Sequence, residues 1–572
     1  MEFSRYWNIL NTTPANEHYA NAGLQYAFGN HVKTGLQSAV FIREQSYSGF
    51  MQTLTGTLQS DKWSGDATGS ILQTNSDTIS SVFIRPRATL YRTFPAFNHI
   101  QIGAGYEGEH NYIYGSADSL ISSSFYFDQY KSFIKLPDSL ARSIGGEFIY
   151  RIDKVPYAGA FALQTAAYTY SLQGHMRKKA ASQLYWQAHY RILQIADTAL
   201  TTLDPEQTLL GRVQHIGTIK KGLLTSDVLY EIGTGREQQR SYTYVETEPG
   251  TGLYTWNDYN GNGVQELDEF EIAVFSDQAN FLQVFVPTDT YIQTNTTNVS
   301  YALGINPKII WNNAKGLEGF ISRFSAQSNL QLNRKVFDNQ SIDVYNPFTS
   351  IADSLLVSTA SYWVNTLYFN RSSAVFGFDY TYISNYTKQV ITVGPERRGK
   401  TEHKITVRYR PAKSITLNGS IYSGNKQYAA DAFTSRGYFI PYITYEPKLT
   451  YNSSGSIFRG STTFQFTEGR NTEGGELVNS TSGTLDLRYS LVGKSTVLLK
   501  FSYVKIDFTG DADSPVGYAM LEGLQNGNNI LWSLNYDRKL SQVVQLTAAY
   551  EGRKTGDNPI THIGRLQMRA VF

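Results

Sequence analysis

Thr561-His562-Ile563-Gly564-Arg565-Leu566-Gln567-Met568-Arg569-Ala570-Val571-Phe572 closes the chain, and its residues alternate without a break. His562, Gly564, Leu566, Met568, Ala570 and Phe572 fall on one face. Thr561, Ile563, Arg565, Gln567, Arg569 and Val571 fall on the other. Side chains of a strand point to opposite sides in turn, so this spacing predicts a strand with one mostly apolar face and one face carrying two arginines.

The pattern recurs upstream. Val544, Leu546, Ala548 and Tyr550 alternate with Gln545, Thr547, Ala549 and Glu551. Trp532, Leu534 and Tyr536 alternate with Ser533, Asn535 and Asp537. Gly483, Leu485, Leu487, Tyr489 and Leu491 alternate with Thr484, Asp486, Arg488 and Ser490, and Ala374, Phe376, Phe378, Tyr380 and Tyr382 with Val375, Gly377, Asp379 and Thr381. Segments of about 10 to 16 residues with this texture repeat along the whole length, roughly 24 to 26 of them, the length of a tilted membrane strand. No stretch has the period of a long amphipathic helix, and no separate soluble domain is visible. The expectation is an all-β chain, a transmembrane antiparallel β-barrel of about 24–26 strands with long extracellular loops, residues 1–572 forming a single barrel domain.

Composition supports that class. Of 572 residues, 41 are Tyr and 31 Phe, with 47 Gly and only 16 Pro. Aromatics suit girdles at the two membrane interfaces. Mean hydropathy is −0.33, too polar for a bundle of membrane helices, and no apolar run approaches the roughly 20 residues such a helix needs. Cysteine is absent, which excludes disulfides, thiolate metal sites and cysteine nucleophiles together. A net charge of +2 gives no bulk reason to expect nucleic acid as a partner. A soluble protein of this size would show Pro-rich linkers between domains, and none is visible. The opening MEFSRYWNIL lacks the basic and apolar regions of a signal peptide, so the expectation is either a mature exported chain with an added Met or, as the favoured alternative, the C-terminal part of a longer polypeptide.

Connection lengths alternate too. Short turns are expected at Arg538–Gln542, Val492–Lys494, Asn452–Ser456, Pro411–Lys413 and Asn370–Ser373. Longer, polar ones are expected at Thr509–Asn528, Glu468–Glu476, Gly424–Gly437, Thr387–His403 and Lys335–Ser358, and the longest at about 233–292. With the C-terminus in the periplasm, the longer set is extracellular.

The longest connection contains Asp258-Tyr-Asn260-Gly-Asn262-Gly263-Val264-Gln-Glu266-Leu-Asp268-Glu269. This matches D-x-[DN]-x-[DN]-G-x5-E, a calcium loop. Calcium takes six to eight oxygens at about 2.4 Å. The side chains at Asp258, Asn260 and Asn262, the Val264 carbonyl, Glu266 (directly or through water) and Glu269 are the expected donors, in a structural extracellular site. The bland alternative is an Asn/Gly turn with incidental acids. A second acidic group, Asp507, Asp511 and Asp513, has no diagnostic spacing and reads as a solvated loop. Glu109/His110 and Glu402/His403 are conceivable acid–base pairs but read better as strand ends or loops. No HExxH, GxSxG or phosphate-binding glycine loop occurs, and no enzymatic activity is expected. Arg553, Arg565 and Arg569 would line the lumen.

The closing strand ending in Phe resembles the last strand of bacterial outer-membrane barrels. Thr255–Ala273, Gly517–Trp532 and the closing GRLQMRAVF are similar to large outer-membrane proteins of Bacteroidota, a resemblance that implies the phylum and the location but no activity. Natural barrels of 22 strands already contain a plug, so a larger one must be closed by another region, an inward loop such as 233–292, or a second subunit. The leading expectation is therefore the barrel of a transport or export complex. It would move a lipid, polysaccharide or protein across the outer membrane, in contact with lipid and with plug, periplasmic or surface subunits. The other is a filled barrel that anchors a surface or periplasmic complex.

Overall fold

The computed structural model describes residues 6–9, 16–44, 46–76, 79–115, 119–178, 181–202, 204–338, 342–391, 394–453, 455, 457–491, 493–541 and 543–570. Val571, Phe572, Val492 and Gln542 lie outside them. The chain divides into two units, residues 1–215 with 230–234, and residues 216–229 with 235–572.

The first unit contains β1 (Glu17–Phe28), β2 (Val32–Arg43), β3 (Tyr47–Gln59), β4 (Trp63–Ser76), β5 (Ser80–Phe94), β6 (Ile100–Tyr114), β7 (Phe125–Lys135), β8 (Arg142–Tyr157), β9 (Ala160–Lys178) and β10 (Ser182–Ile195). Then come β11 (Glu206–Ile219) and β12 (Leu224–Glu246). The second unit continues with two short strands, β13 (Tyr254–Trp256) and β14 (Phe270–Ile272), and with β15 (Phe281–Ile305), β16 (Phe324–Phe337), β17 (Leu356–Phe369), β18 (Phe376–Ile391) and β19 (Gly394–Ala412). It ends with β20 (Ile415–Ala430), β21 (Tyr438–Asn452), β22 (Phe458–Arg470), β23 (Leu477–Leu491), β24 (Ser495–Thr509), β25 (Gly527–Lys539), β26 (Val544–Thr555) and β27 (Thr561–Ala570).

Each strand from β1 to β10 pairs antiparallel with the next in sequence. The same holds from β15 to β27. The fold class is thus all-β, built from antiparallel strands paired up and down in sequence order, and among the described residues its 25 long strands fall inside the expected range. No helix among the described residues is long and apolar enough to cross a membrane.

The alternation sorts the side chains as expected. Across β23–β26 one face carries a continuous apolar stripe: Leu485 stands opposite Phe501, Phe501 opposite Trp532, Leu499 opposite Leu534, and Leu534 opposite Tyr550. Leu485, Leu499, Phe501, Leu534 and Tyr550 are all exposed. In the first unit, Tyr106, Tyr130, Tyr150 and Tyr168 stand directly opposite one another on β6–β9, with ring centroids 5.3, 6.4 and 5.0 Å apart. The other face is lined with hydroxyl pairs. Thr484 meets Ser502 at 2.9 Å, Thr444 meets Thr467 at 2.9 Å, Thr406 meets Ser420 at 3.1 Å and Thr366 meets Thr381 at 3.2 Å. We call these the outer and inner faces.

Three features depart from the sequence expectation. The Thr387–His403 connection is strand almost throughout, since β18 runs to Ile391 and β19 starts at Gly394. Its polar residues Glu396, Arg398 and Lys400 face inward while His403 faces outward, so the polarity belongs to strands and not to a loop. Likewise β20 continues to Ala430, well past Gly424, and the longest connection narrows to 247–280 because β12 and β15 extend into the expected range. Consistent with the absence of a long helical period, the helices named among the described residues are short, α1 (Gly316–Ile321) and α2 (Pro515–Leu521). Both are too short to give a helical period.

The outer stripe sets a steric test. Trp532 lies across Gly552 on the neighbouring strand, and a Cβ there would overlap the indole. Gly552→Val is expected to cost about 1–3 kcal/mol through overpacking, read as a lower unfolding midpoint in urea; an unchanged midpoint would contradict the register.

Candidate functional site

The connection 247–280 turns back over the inner face of its own unit. Its base is a small sheet in which Tyr254 pairs with Ile272, Thr255 with Glu271 and Trp256 with Phe270, while Tyr254 also pairs with Phe281 of β15. Beyond this hairpin, five residues of the same unit fix it. Phe270 stacks on Tyr244 of β12 with centroids 4.0 Å apart. Glu271 pairs with Arg436, which also donates to the Phe270 carbonyl at 3.2 Å. The Tyr518 hydroxyl of α2 donates to the Ile272 carbonyl at 3.0 Å. Arg553 of β26 grips Asp277 through two bonds of 2.6 and 2.7 Å, and Arg565 of β27 donates to the Ser276 hydroxyl at 3.3 Å.

A second lid lies beside it. In α2, Val516, Met520 and Leu521 pack on Ile440, Val478, Ile506 and Phe508, the inner-face residues at the ends of β21, β23 and β24. Ser514 caps this helix, its hydroxyl accepting from the Gly517 amide at 3.0 Å. Lys426 of β20 bonds Glu522 just beyond it at 2.6 Å. Beneath the two lids is a cavity of about 650 Å³, lined by Tyr242, Tyr244 and Tyr254 with Arg398, Lys400 and Lys426. An adjoining cavity of about 420 Å³ shares Lys400 and Lys426. Glu402 is buried here, accepting from the Tyr442 hydroxyl at 2.6 Å and from Lys400 at 2.9 Å.

The tip of the hairpin is the motif at 258–269. Asp258 accepts the amides of Asn262 at 3.1 Å and Gly263 at 2.8 Å, Asn260 accepts that of Asn262 at 2.9 Å, and Asn262 accepts that of Val264 at 2.6 Å. Gly261 and Gly263 each sit at φ +71°, a left-handed conformation that favours glycine. Glu266 and Glu269 form a capping box on a single 3₁₀ turn. Glu269 is buried, and its Oε2 accepts the Trp256 indole N–H at 2.8 Å. The sequence motif is therefore a folded tip that brings Asp258, Asn260, Asn262, Val264, Glu266 and Glu269 into one short loop. Among the described residues no three His, Asp or Glu side chains converge as a metal cluster, so any cation here depends equally on amide and carbonyl oxygens.

The remaining candidates separate. Arg553 and Arg565 hold the connection, while Arg569 lies exposed near the strand end. Glu402 points inward, but the neighbouring His403 meets the outer-face Tyr380 hydroxyl at 2.8 Å, so the two do not form a pair. His110 hydrogen-bonds the Asp128 carboxylate at 2.8 Å on the outer face, where Asp128 also accepts from Tyr106 and Tyr126. Asp507 is exposed beside Lys505, and Asp511 accepts the Asp513 amide at 3.0 Å in the turn before α2. Sequence reasoning missed Arg436, Asp277 and Glu271. Their only signal was opposite charge far apart in the chain, which nothing local distinguishes.

Electrostatics follow from burial and pairing. Burial pushes the Glu271 carboxyl up while Arg436 opposes it, and Glu271 holds the Arg436 guanidinium above its ordinary range against the desolvation that lowers it. The hydrogen bond from Arg553 holds Asp277 below its ordinary 3.8. Seating thus gains from ionised Asp277 above that pH, and the gain is lost as pH falls through and below it.

No protein-family description matches this chain, and no curated protein does. Solved structures overlap it loosely. The copper transporter OprC is 9% identical with a TM-score of 0.30, over 97% of this chain and 79% of the transporter. The FrpB iron transporter from Neisseria meningitidis is 10% identical with a TM-score of 0.31, over 100% and 83%. A ferric enterobactin receptor is 9% identical with a TM-score of 0.32, over 95% and 76%. An overlap this loose leaves the site to be read from its own residues.

Two outcomes are expected. Arg436→Ala leaves a buried carboxylate unpaired and should destabilise the seated connection by about 3–5 kcal/mol, seen as faster hydrogen exchange across 247–280. Proteolysis of that segment should accelerate as pH drops below about 4, and Asp277→Asn should remove this pH dependence.

Proposed function

We propose that this chain is an outer-membrane β-barrel whose wall passes a bulky substrate, and whose 247–280 connection closes the path. The observation that carries the reading is the inner face of the second unit. Along its middle it is lined by Ser and Thr pairs and covered by a strap with cavities beneath it, and its apolar clusters are confined to the strand ends. Small hydroxyl side chains give a wettable surface that offers hydrogen bonds without obstructing a large solute. Tyrosines beside Arg398, Lys400 and Lys426 add stacking surfaces and charge for a lipid headgroup, polysaccharide or polypeptide. The exposed apolar stripe on the outer face is what lipid would cover.

In this reading the C-terminus is periplasmic, the 247–280 connection belongs to the extracellular end, and periplasmic or surface subunits supply direction and energy. No chemical step is assigned to the chain. A second reading, a filled barrel that anchors a complex, draws on one observation. In the first unit Trp7 is fully buried on the inner face against Ala39, Phe41, Met51, Leu72 and Phe83, and the side chain of Asn8 bonds Ser81 at 2.8 Å and Asn111 at 3.1 Å.

Planar-bilayer conductance separates the two. The full chain is expected to conduct little, and a variant lacking residues 252–279 to open a large, steady conductance. Equal conductance in both would remove the connection as the closure and favour the anchor. The lipid-facing assignment is tested on one strand: Leu499→Arg should cost about 2–4 kcal/mol of stability in vesicles, near the bilayer centre, whereas inner-face Lys500→Gln should be nearly neutral.

A further inference from the structure

We propose that residues 258–269 bind calcium and that the bound ion governs how the 247–280 connection seats on the strands. The coupling rests on the closure reading above; the binding does not. The donor set is all oxygen: carboxylates at Asp258, Glu266 and Glu269, amide oxygens at Asn260 and Asn262, and the Val264 carbonyl. Hard cations of calcium's size accept such mixed, flexible sets, whereas magnesium demands a tighter octahedron.

The backbone is already wrapped around these oxygens. The amides of Asn262, Gly263 and Val264 are all taken by side chains of Asp258, Asn260 and Asn262, and both glycines adopt the left-handed turns that the winding requires. The independent observation is Glu269. It is 2% exposed, its Oε2 accepts from Trp256 and from the Glu266 amide, and its Oε1 is buried with no hydrogen-bond partner. A buried carboxylate oxygen in that state calls for a positive partner. Glu266, meanwhile, is engaged only by the Asn260 amide donor at 2.6 Å among its side-chain contacts outside the capping box. Exchanging that neutral donor for a cation gives the Glu266 carboxylate a positive partner beside the buried Glu269. Two Asn in place of Asp lower the ligand charge and point to weak affinity, roughly 10⁻⁴ to 10⁻³ M, the range of extracellular calcium modules.

The link to seating is covalent and short. Glu269 is followed directly by Phe270, which stacks on Tyr244, and by Glu271, which pairs with Arg436. Trp256, hydrogen-bonded to Glu269, is paired across the hairpin with Phe270. Closing the loop around an ion therefore fixes both strands of the hairpin that carries the anchoring residues.

The test uses the purified full chain in detergent, titrated with terbium and excited at tryptophan. Trp256 lies against Glu269 and becomes the sensitising donor. Saturable luminescence displaced by calcium is expected. Asp258→Ala should weaken it at least about tenfold, and Trp256→Phe should lose the luminescence while calorimetry still detects calcium. Calcium should slow proteolysis within 247–280 several-fold in the parent. In Arg436→Met, terbium should still bind but the protection should disappear. If the parent shows no saturable signal, or if Asp258→Ala and Glu269→Gln both bind like the parent, the site is overturned. If binding holds while calcium leaves proteolysis of the parent unchanged, the coupling is overturned, and the closure reading still stands or falls on its own conductance test.

Discussion

Strand register is the constraint on which the rest of the molecule depends. Side chains alternate with a period of two, so a slip of one residue has no partial consequence: it exchanges the faces entirely. In β24 such a slip would turn Leu499 and Phe501 inward and Lys500 and Ser502 outward. It would break the Thr484–Ser502 hydroxyl contact and take Phe501 from its place opposite Trp532. Cross-strand pairing is regular enough to hold this register. Irregularities are confined to a few positions such as Lys335/Val336 and Asp153/Lys154.

Given that register, the inner face has to be treated differently at its middle and at its end. Along the middle, hydroxyls satisfy one another and need no cover. Towards the end of β21, β23 and β24 the inner residues become Ile440, Val478, Ile506 and Phe508, which water does not favour. The apolar side of α2 covers them. Such residues make the end of the sheet adhesive, so the connections fold back onto it instead of extending away. The same solution appears independently in the first unit, where Trp7 covers Phe41, Met51 and Phe83.

This explains which parts of the molecule were legible in the sequence. The β class, the strand number and the outer stripe follow from periodicity alone, a local property that survives without any knowledge of neighbours. The motif at 258–269 was legible because its oxygens and glycines lie within one turn of chain. Arg436, Glu271 and Asp277 were not, since Arg436 meets Glu271 across 165 residues and Arg553 meets Asp277 across 276. The polar run from Thr387 to His403 misled for a related reason. Polarity marks a loop only when water is the alternative environment, and here a strap of the same chain supplies it.

The two covered regions differ in kind, and the difference bears on mechanism. The Trp7 cluster is held by apolar burial and tight packing, which is insensitive to ions and is released only at the cost of exposing an indole. The 247–280 strap is held largely by charge, Glu271 with Arg436 and Asp277 with Arg553, beside the single Phe270–Tyr244 stack. The partly wet Asp277–Arg553 pair responds to protons, salt and divalent cations, whereas the buried Glu271–Arg436 pair holds firmly while both partners are in place. A permanent seal is better built in the first way, and a seal that must open in the second. The placement of an oxygen-rich turn one residue before the buried anchors Phe270 and Glu271 puts the most ion-sensitive part of the strap next to the contacts that decide whether it stays down.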